Sequence, residues 1–117
     1  MGEKVLEPKS QEFALRIVKL YRFLRENGET IMSKQVLRSG TSIGANIAEA
    51  QYAQSRADFT TKLTIALKEA SETRYWLNLL VQSEYLPADR STRSLLADCD
   101  ELIRLLVAST KTAQNKN

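Results

Sequence analysis

Four stretches of this chain place apolar residues at spacings of three and four, the period of a helix that buries one face. The first runs through Phe13, Ile17, Leu20 and Leu24 and stops at Asn27-Gly28, a helix-ending pair. Ser10, an N-cap type residue after Pro8, predicts that this helix begins near residue 10. The second runs through Met32, Val36, Ile43, Ile47 and Ala50 and predicts a helix from about Thr30 to Tyr52. Ser39-Gly40-Thr41-Ser42 has the composition of a loop, yet the period continues on both sides with no proline between, so this helix reads as unbroken.

The third stretch has the sharpest start. Ser55-Arg-Ala-Asp58 sets a capping hydroxyl three residues before a carboxylate, and Phe59, Leu63, Ala66, Leu67, Ala70, Leu77 and Val81 follow on one face. A turn is expected at Ser83-Glu-Tyr-Leu86. Pro87 fits at or just before the first turn of a fourth helix, whose stripe is Leu95, Cys99, Leu102 and Leu106, flanked by Leu96 and Ile103. The segment from Lys111 to Asn117 is polar and expected to fray. Four amphipathic helices with short connections predict an all-α fold, an antiparallel up-down-up-down four-helix bundle. It should form one domain over residues 1–117, with a core from about residue 10 to 110 and both ends frayed.

Composition narrows the class. An apolar share of 43% and a charged share of 26% suit a soluble globular chain, and four glycines with two prolines leave little to punctuate a β-fold. Seventeen basic against 14 acidic residues give a net charge of +3, which permits attraction to nucleic acid without requiring it. Cys99 stands alone, so no internal disulfide or thiolate zinc site can form, and a small buried hydrophobe is its expected role. No apolar run has signal-peptide or membrane-spanning length, and Leu6 stands where a myristoylation signal needs Ser or Thr. A cytoplasmic protein without membrane contact is expected.

Catalytic chemistry lacks its usual parts. With no histidine, the commonest general base, the Ser-His-Asp arrangement and most transition-metal sites are gone. Di-iron bundles need Glu-x-x-His, whereas Glu69-x-x-Glu72 offers carboxylates only. Gly40-Thr-Ser-Ile-Gly44 lacks the Gly-Lys-Ser/Thr ending of a phosphate loop, and Ser39, Thr41 and Ser42 have no evident base. No enzyme activity, catalytic residue, metal, cofactor or small-molecule substrate is expected.

Surface contact is the alternative. On a helical wheel Leu37, Thr41, Gly44 and Ala48 share a side of the second helix opposite Gln35, Ser42 and Glu49. Gly40 and Gly44 each cost about 0.8–1 kcal/mol of helix propensity against alanine, so a close contact should offset them. Close packing within one bundle and a subunit interface both fit. Arg38, Gly40, Thr41, Gly44, Ala48 and Glu49 are therefore candidate oligomer contacts, with Arg38 and Glu49 near one face and able to pair across a boundary. Asn46, beside Ile43 and Ile47, could fix register. Arg16, Lys19, Arg22 and Arg25 lie off the first stripe, as a solvated face or as candidate nucleic-acid contacts, with Glu12–Arg16 and Arg22–Glu26 one turn apart. Glu69, Glu72 and Trp76 form a candidate contact patch on the third helix, unless Lys68 and Glu72 simply pair in solvent.

Three runs carry a family resemblance: Leu37-Arg-Ser-Gly-Thr-Ser-Ile-Gly-Ala-Asn-Ile-Ala-Glu-Ala50, Ser55-Arg-Ala-Asp-Phe59 and Lys68-Glu-Ala-Ser-Glu-Thr-Arg-Tyr-Trp-Leu77. Together they resemble the bacterial four-helix bundle proteins encoded in intervening sequences of 23S ribosomal RNA genes, over about Phe13 to Leu106. The resemblance implies a homopentamer, no established enzymatic activity, and kinship in fold with the nucleic-acid-binding accessory protein of diversity-generating retroelements. Gly40 stands where the resemblance leads us to expect alanine as often as glycine. The leading expectation is a non-enzymatic homo-oligomer that binds RNA or DNA through basic residues, five subunits of +3 carrying about +15 together. The second is a protein-interaction scaffold that presents Trp76 and its carboxylates, with no nucleic-acid role.

Overall fold

Leu6, seven residues before Phe13, begins the first apolar stripe, and its side chain is fully buried. The structure, a computed structural model, describes residues 2–115, and its helix α1 spans Gly2–Glu26 with Pro8 inside it. This corrects the expected start near Ser10. A proline inside a helix forfeits one backbone hydrogen bond. Here burial of Leu6 holds the turn before it, and Lys9 Nζ, 3.1 Å from Glu101 Oε1, ties the next residue to the last helix. Ser10 is no cap; it is buried, and its hydroxyl donates to the Glu7 carbonyl at 3.0 Å.

The end of α1 falls where the sequence put it. Gly28 adopts φ +88°, a left-handed conformation that lets Gly28 N donate to Arg25 O at 3.1 Å and Glu29 N to Leu24 O at 2.8 Å. Helix α2 spans Met32–Ala50 and runs unbroken through Ser39–Ser42. Its N-cap position, Ile31, offers no side-chain acceptor. Glu29 does that work from two residues further back. Its Oε1 accepts from Ser33 N at 2.6 Å and its Oε2 from Met32 N at 3.1 Å and Ile31 N at 3.3 Å.

Helix α3 spans Arg56–Gln82 and is capped as expected, Ser55 Oγ accepting from Asp58 N at 3.0 Å. The return bond is shifted by one residue: Asp58 Oδ2 accepts from Gln54 N at 3.1 Å. Glu84, at φ +68°, closes α3 as Gly28 closes α1, with Tyr85 N donating to Leu80 O at 3.0 Å. Helix α4 spans Arg90–Asn115. Its cap is Asp89, whose Oδ1 accepts from Thr92 N at 2.9 Å, a bond that holds this carboxyl below its ordinary pKa. Pro87 lies ahead of that cap. Helical conformation continues past Lys111, and Ala113 is buried, so the expected fraying there gives way to packing as far as Asn115. Residues 116 and 117 of the expected tail lie outside the described residues.

Each helix packs against the next and α4 closes back onto α1, while among the described residues the Cα atoms of the diagonal pairs stay more than 8 Å apart. Direction follows from side-chain pairs between helices. Lys9 meets Glu101 and Arg16 meets Asp98, so numbering rises along α1 as it falls along α4. Arg38 meets Glu69 and Glu49 meets Lys62, the same relation for α2 and α3. The bundle is antiparallel, up-down-up-down, about 47 Å long.

The core takes Phe13, Ile17 and Leu24 from α1, Val36, Ile43 and Ile47 from α2, Leu63, Leu77 and Leu80 from α3, and Leu102 and Leu106 from α4, all fully buried. The expected stripes supply all of these except Leu80. Thr73 interrupts the α3 stripe inside the core, where its hydroxyl lies 2.8 Å from Ser39 Oγ and 2.8 Å from the Glu69 carbonyl. Donating to the carbonyl and accepting from Ser39, it leaves no unmet bond of its own. Cys99 is buried with Sγ 3.5 Å from the Ala70 carbonyl, and burial pushes its thiol up to about 12. It stays protonated at neutral pH and packs as an apolar residue.

Candidate interaction surfaces

The glycines of α2 have different neighbours. Gly40 is buried, and a Cβ built on it would lie 2.8 Å from Ile17 Cγ1 and 2.9 Å from Ile17 Cγ2. Its missing side chain is space used by α1 of the same chain. Gly40 is thereby corrected from oligomer contact to internal packing. Gly44 is half-buried, and a Cβ there would meet Ser10 Oγ at 3.4 Å and Ser10 O at 3.5 Å, ordinary contact.

Thr41, Gly44, Ala45 and Ala48 of α2 face Glu7, Ser10, Gln11 and Ala14 of α1 across a shallow groove. Ala45 and Ala48 are exposed, and Leu15, beside Ala14 on α1, is 60% exposed. Thr41, Gly44 and Ala48 of the small-residue side line this groove together with Ala45, while Leu15 is exposed outside its lining. Neither Ala45 nor Leu15 stood out in sequence. Leu15 falls opposite the buried stripe of α1, where the period predicts polar residues.

Arg38 and Glu49 face α3. Arg38 Nη1 lies 3.2 Å from Glu69 Oε1, its Nη2 binds Glu72 Oε2, and Trp76 Nε1 donates to the same Glu72 oxygen at 3.0 Å. Glu49 Oε1 lies 2.8 Å from Lys62 Nζ. Within the chain Arg38 and Glu49 thus form two separate pairs with α3. Arg38 joins Glu69, Glu72 and Trp76 in one network, and Lys68 forms no ion pair among the described residues. Asn46 Nδ2 donates to the Ser42 carbonyl at 2.9 Å in its own helix, so its amide does not bridge helices.

This network titrates. The Arg38 hydrogen bond, and after it the Trp76 bond, hold the Glu72 carboxyl below its ordinary range. A depressed carboxyl stabilises the fold above its unfolded pKa of about 4.3 and loses that contribution as pH falls through its lower folded value. Arg38→Ala should cost about 0.5–1 kcal/mol at neutral pH and low salt, since the side chains are partly exposed. Denaturant titrations of both proteins should show that difference shrinking below about pH 4, with Trp76, the only tryptophan, as reporter. A difference constant across the acid range would contradict this assignment.

The basic face of α1 is less free than its sequence implies. Arg16 Nη1 lies 2.7 Å from Asp98 Oδ2 and 3.1 Å from Ser94 Oγ, and Nη2 donates to the Ser91 carbonyl at 3.2 Å. It bonds α4 rather than Glu12. Arg25 donates to Tyr21 Oη at 2.7 Å and sits 5.6 Å from that ring's centre. Lys19 and Arg22 are exposed without carboxylate partners among the described residues, and so are Glu12 and Glu26 of the same helix. Arg16 and Lys19 border a cleft with Phe23, Leu86, Pro87 and Leu95, where α1 ends and α4 begins.

Among the described residues no three His, Cys, Asp or Glu side chains come together as a metal site. No helix among them is long and apolar enough to cross a membrane. Residues 5–108 match the family of 23S rRNA-intervening sequence proteins. The chain belongs to this family. A crystal structure of a protein with unknown function from the S23 ribosomal protein family, from Bacteroides thetaiotaomicron, superposes on this chain with a TM-score of 0.90. It shares 56% sequence identity and covers 95% of this chain and 99% of its own. A comparison with curated proteins finds no match. The resemblance carried by Leu37–Ala50, Ser55–Phe59 and Lys68–Leu77 thus extends through the fold of the whole family member.

Proposed function

We propose that this chain is a non-enzymatic subunit that assembles with copies of itself, as a pentamer, and associates with nucleic acid through its basic surface in the cytoplasm. The observation that carries the reading is the face between α1 and α2. Ala45 and Ala48 are exposed along a groove lined by Ala14 and Gly44, an arrangement that lets a second helix approach closely and removes apolar surface from water.

The nucleic-acid part draws on charge and on the family's name, which ties it to 23S ribosomal RNA. A net charge of +3 per chain is modest, but copies in a ring add their fields. The scaffold reading has less support, because Glu69 and Glu72 are already bound by Arg38, and Trp76 by Glu72. Binding by phosphate contact should be salt-sensitive and poor in base preference. Fluorescence anisotropy of the intact protein with labelled single-stranded RNA and duplex DNA at low salt tests it. Affinity that falls steeply with added salt is expected; no binding of either probe at low salt would reject the nucleic-acid role.

A further inference from the structure

We propose that the outward face of α4, and not that of α1, is the surface along which a nucleic-acid backbone lies. This rests on the nucleic-acid association proposed above and names where it occurs.

Ion-pair bookkeeping separates the two helices. Helix α4 holds three carboxylates, and each is bound by a cation from a neighbouring helix: Asp98 by Arg16, Glu101 by Lys9 and Asp100 by Arg74 Nε at 2.6 Å. Its own cations, Arg90, Arg93, Arg104 and Lys111, are all exposed and form no ion pair among the described residues. Arg93 donates to the Ala88 carbonyl at 3.0 Å and lies near Asp89, which offsets part of its charge. On α1 Lys9 and Arg16 are neutralised, and the exposed Lys4, Lys19, Arg22 and Arg25 share their surface with the exposed Glu7, Glu12 and Glu26. The positive surplus therefore sits on α4.

Helical geometry lines it up. Arg93 and Arg104 are eleven residues apart and Lys111 seven further, spacings that return to within about 20° of one face. They stand about 16 and 10 Å apart along the axis. Between them on that face lie the exposed Ala97, Val107 and Ala108 and the half-buried Asp100, whose carboxylate is already bound by Arg74. A stripe of cations over aliphatic side chains and one neutralised carboxylate, with no aromatic among them, is suited to phosphates and not to stacking or base-edge contacts.

The test compares Arg93→Gln/Arg104→Gln/Lys111→Gln with Lys19→Gln/Arg22→Gln, after circular dichroism and light scattering confirm fold and mass. The probes are labelled single-stranded RNA, duplex DNA, and vesicles of phosphatidylcholine with phosphatidylserine. The α4 variant should lose at least about tenfold in affinity for both nucleic acids, and its slope of log affinity against log salt should fall by about two on RNA. The α1 variant should change less than about threefold. Full affinity in the α4 variant, or a larger loss in the α1 variant, would overturn the placement and leave nucleic-acid association standing. Loss of vesicle binding alone, or a changed solution mass in the α4 variant, would equally overturn it. Failure of the unaltered protein to bind either nucleic acid would remove both.

Discussion

Replacing Glu29 with alanine should destabilise the protein by about 2–3 kcal/mol, a loss set by the three amides its carboxylate now satisfies. Ser33 N, Met32 N and Ile31 N have no acceptor within the helix, and Ser33 N is buried. The carboxylate also meets the positive end of the α2 dipole, so the bond is charge-assisted. Glutamine keeps one oxygen and should recover about half the loss. For a domain of this size the alanine variant should melt roughly 10 °C lower, compared at one protein concentration because assembly raises apparent stability. A change under about 0.5 kcal/mol would show that water caps α2 as well as Glu29 does.

The second large effect separates the two glycines. Gly40→Leu should cost about 3 kcal/mol or prevent folding, because the atoms its Cβ strikes are Ile17 Cγ1 and Cγ2. Both are fixed to the branched Cβ of a fully buried side chain, so no terminal rotation clears them. Gly44→Ala meets only ordinary contacts and gains about 0.8–1 kcal/mol of helix propensity, so it should hold or raise stability. Thermal denaturation of the pair decides it. Equal effects at both positions would contradict the assignment of Gly40 to internal packing and Gly44 to the open groove.

These cases show what the residues disclose unaided. The stripes of α2, α3 and α4 and the caps at Gly28 and Ser55 are local signals, one turn or one bond long, and the structure keeps them. Pro8 misplaced the start of α1 because the compensating burial of Leu6 is tertiary. Glu29 is invisible as a cap, since cap preferences concern short side chains at the N-cap itself and this one reaches over from outside. The charged residues were hardest. Glu12 sits one turn from Arg16, but Asp98 holds Arg16 through a register that only the assembled bundle defines. Arg38, Glu69, Glu72 and Trp76 were each legible as polar residues of interest, while their meeting in one network depended on the pairing of α2 with α3.

Assembly through the α1–α2 face is the claim on which the functional account depends. Ala45 and Ala48 are exposed along this groove, so Ala45→Glu/Ala48→Glu should leave the fold intact while placing charge in the interface. Multi-angle light scattering of the two proteins at micromolar concentration tests this directly. The account predicts a unit of five 13.2 kDa chains for the unaltered protein and a helical 13.2 kDa monomer for the variant. A monomeric unaltered protein, or a variant of unchanged mass, would contradict it.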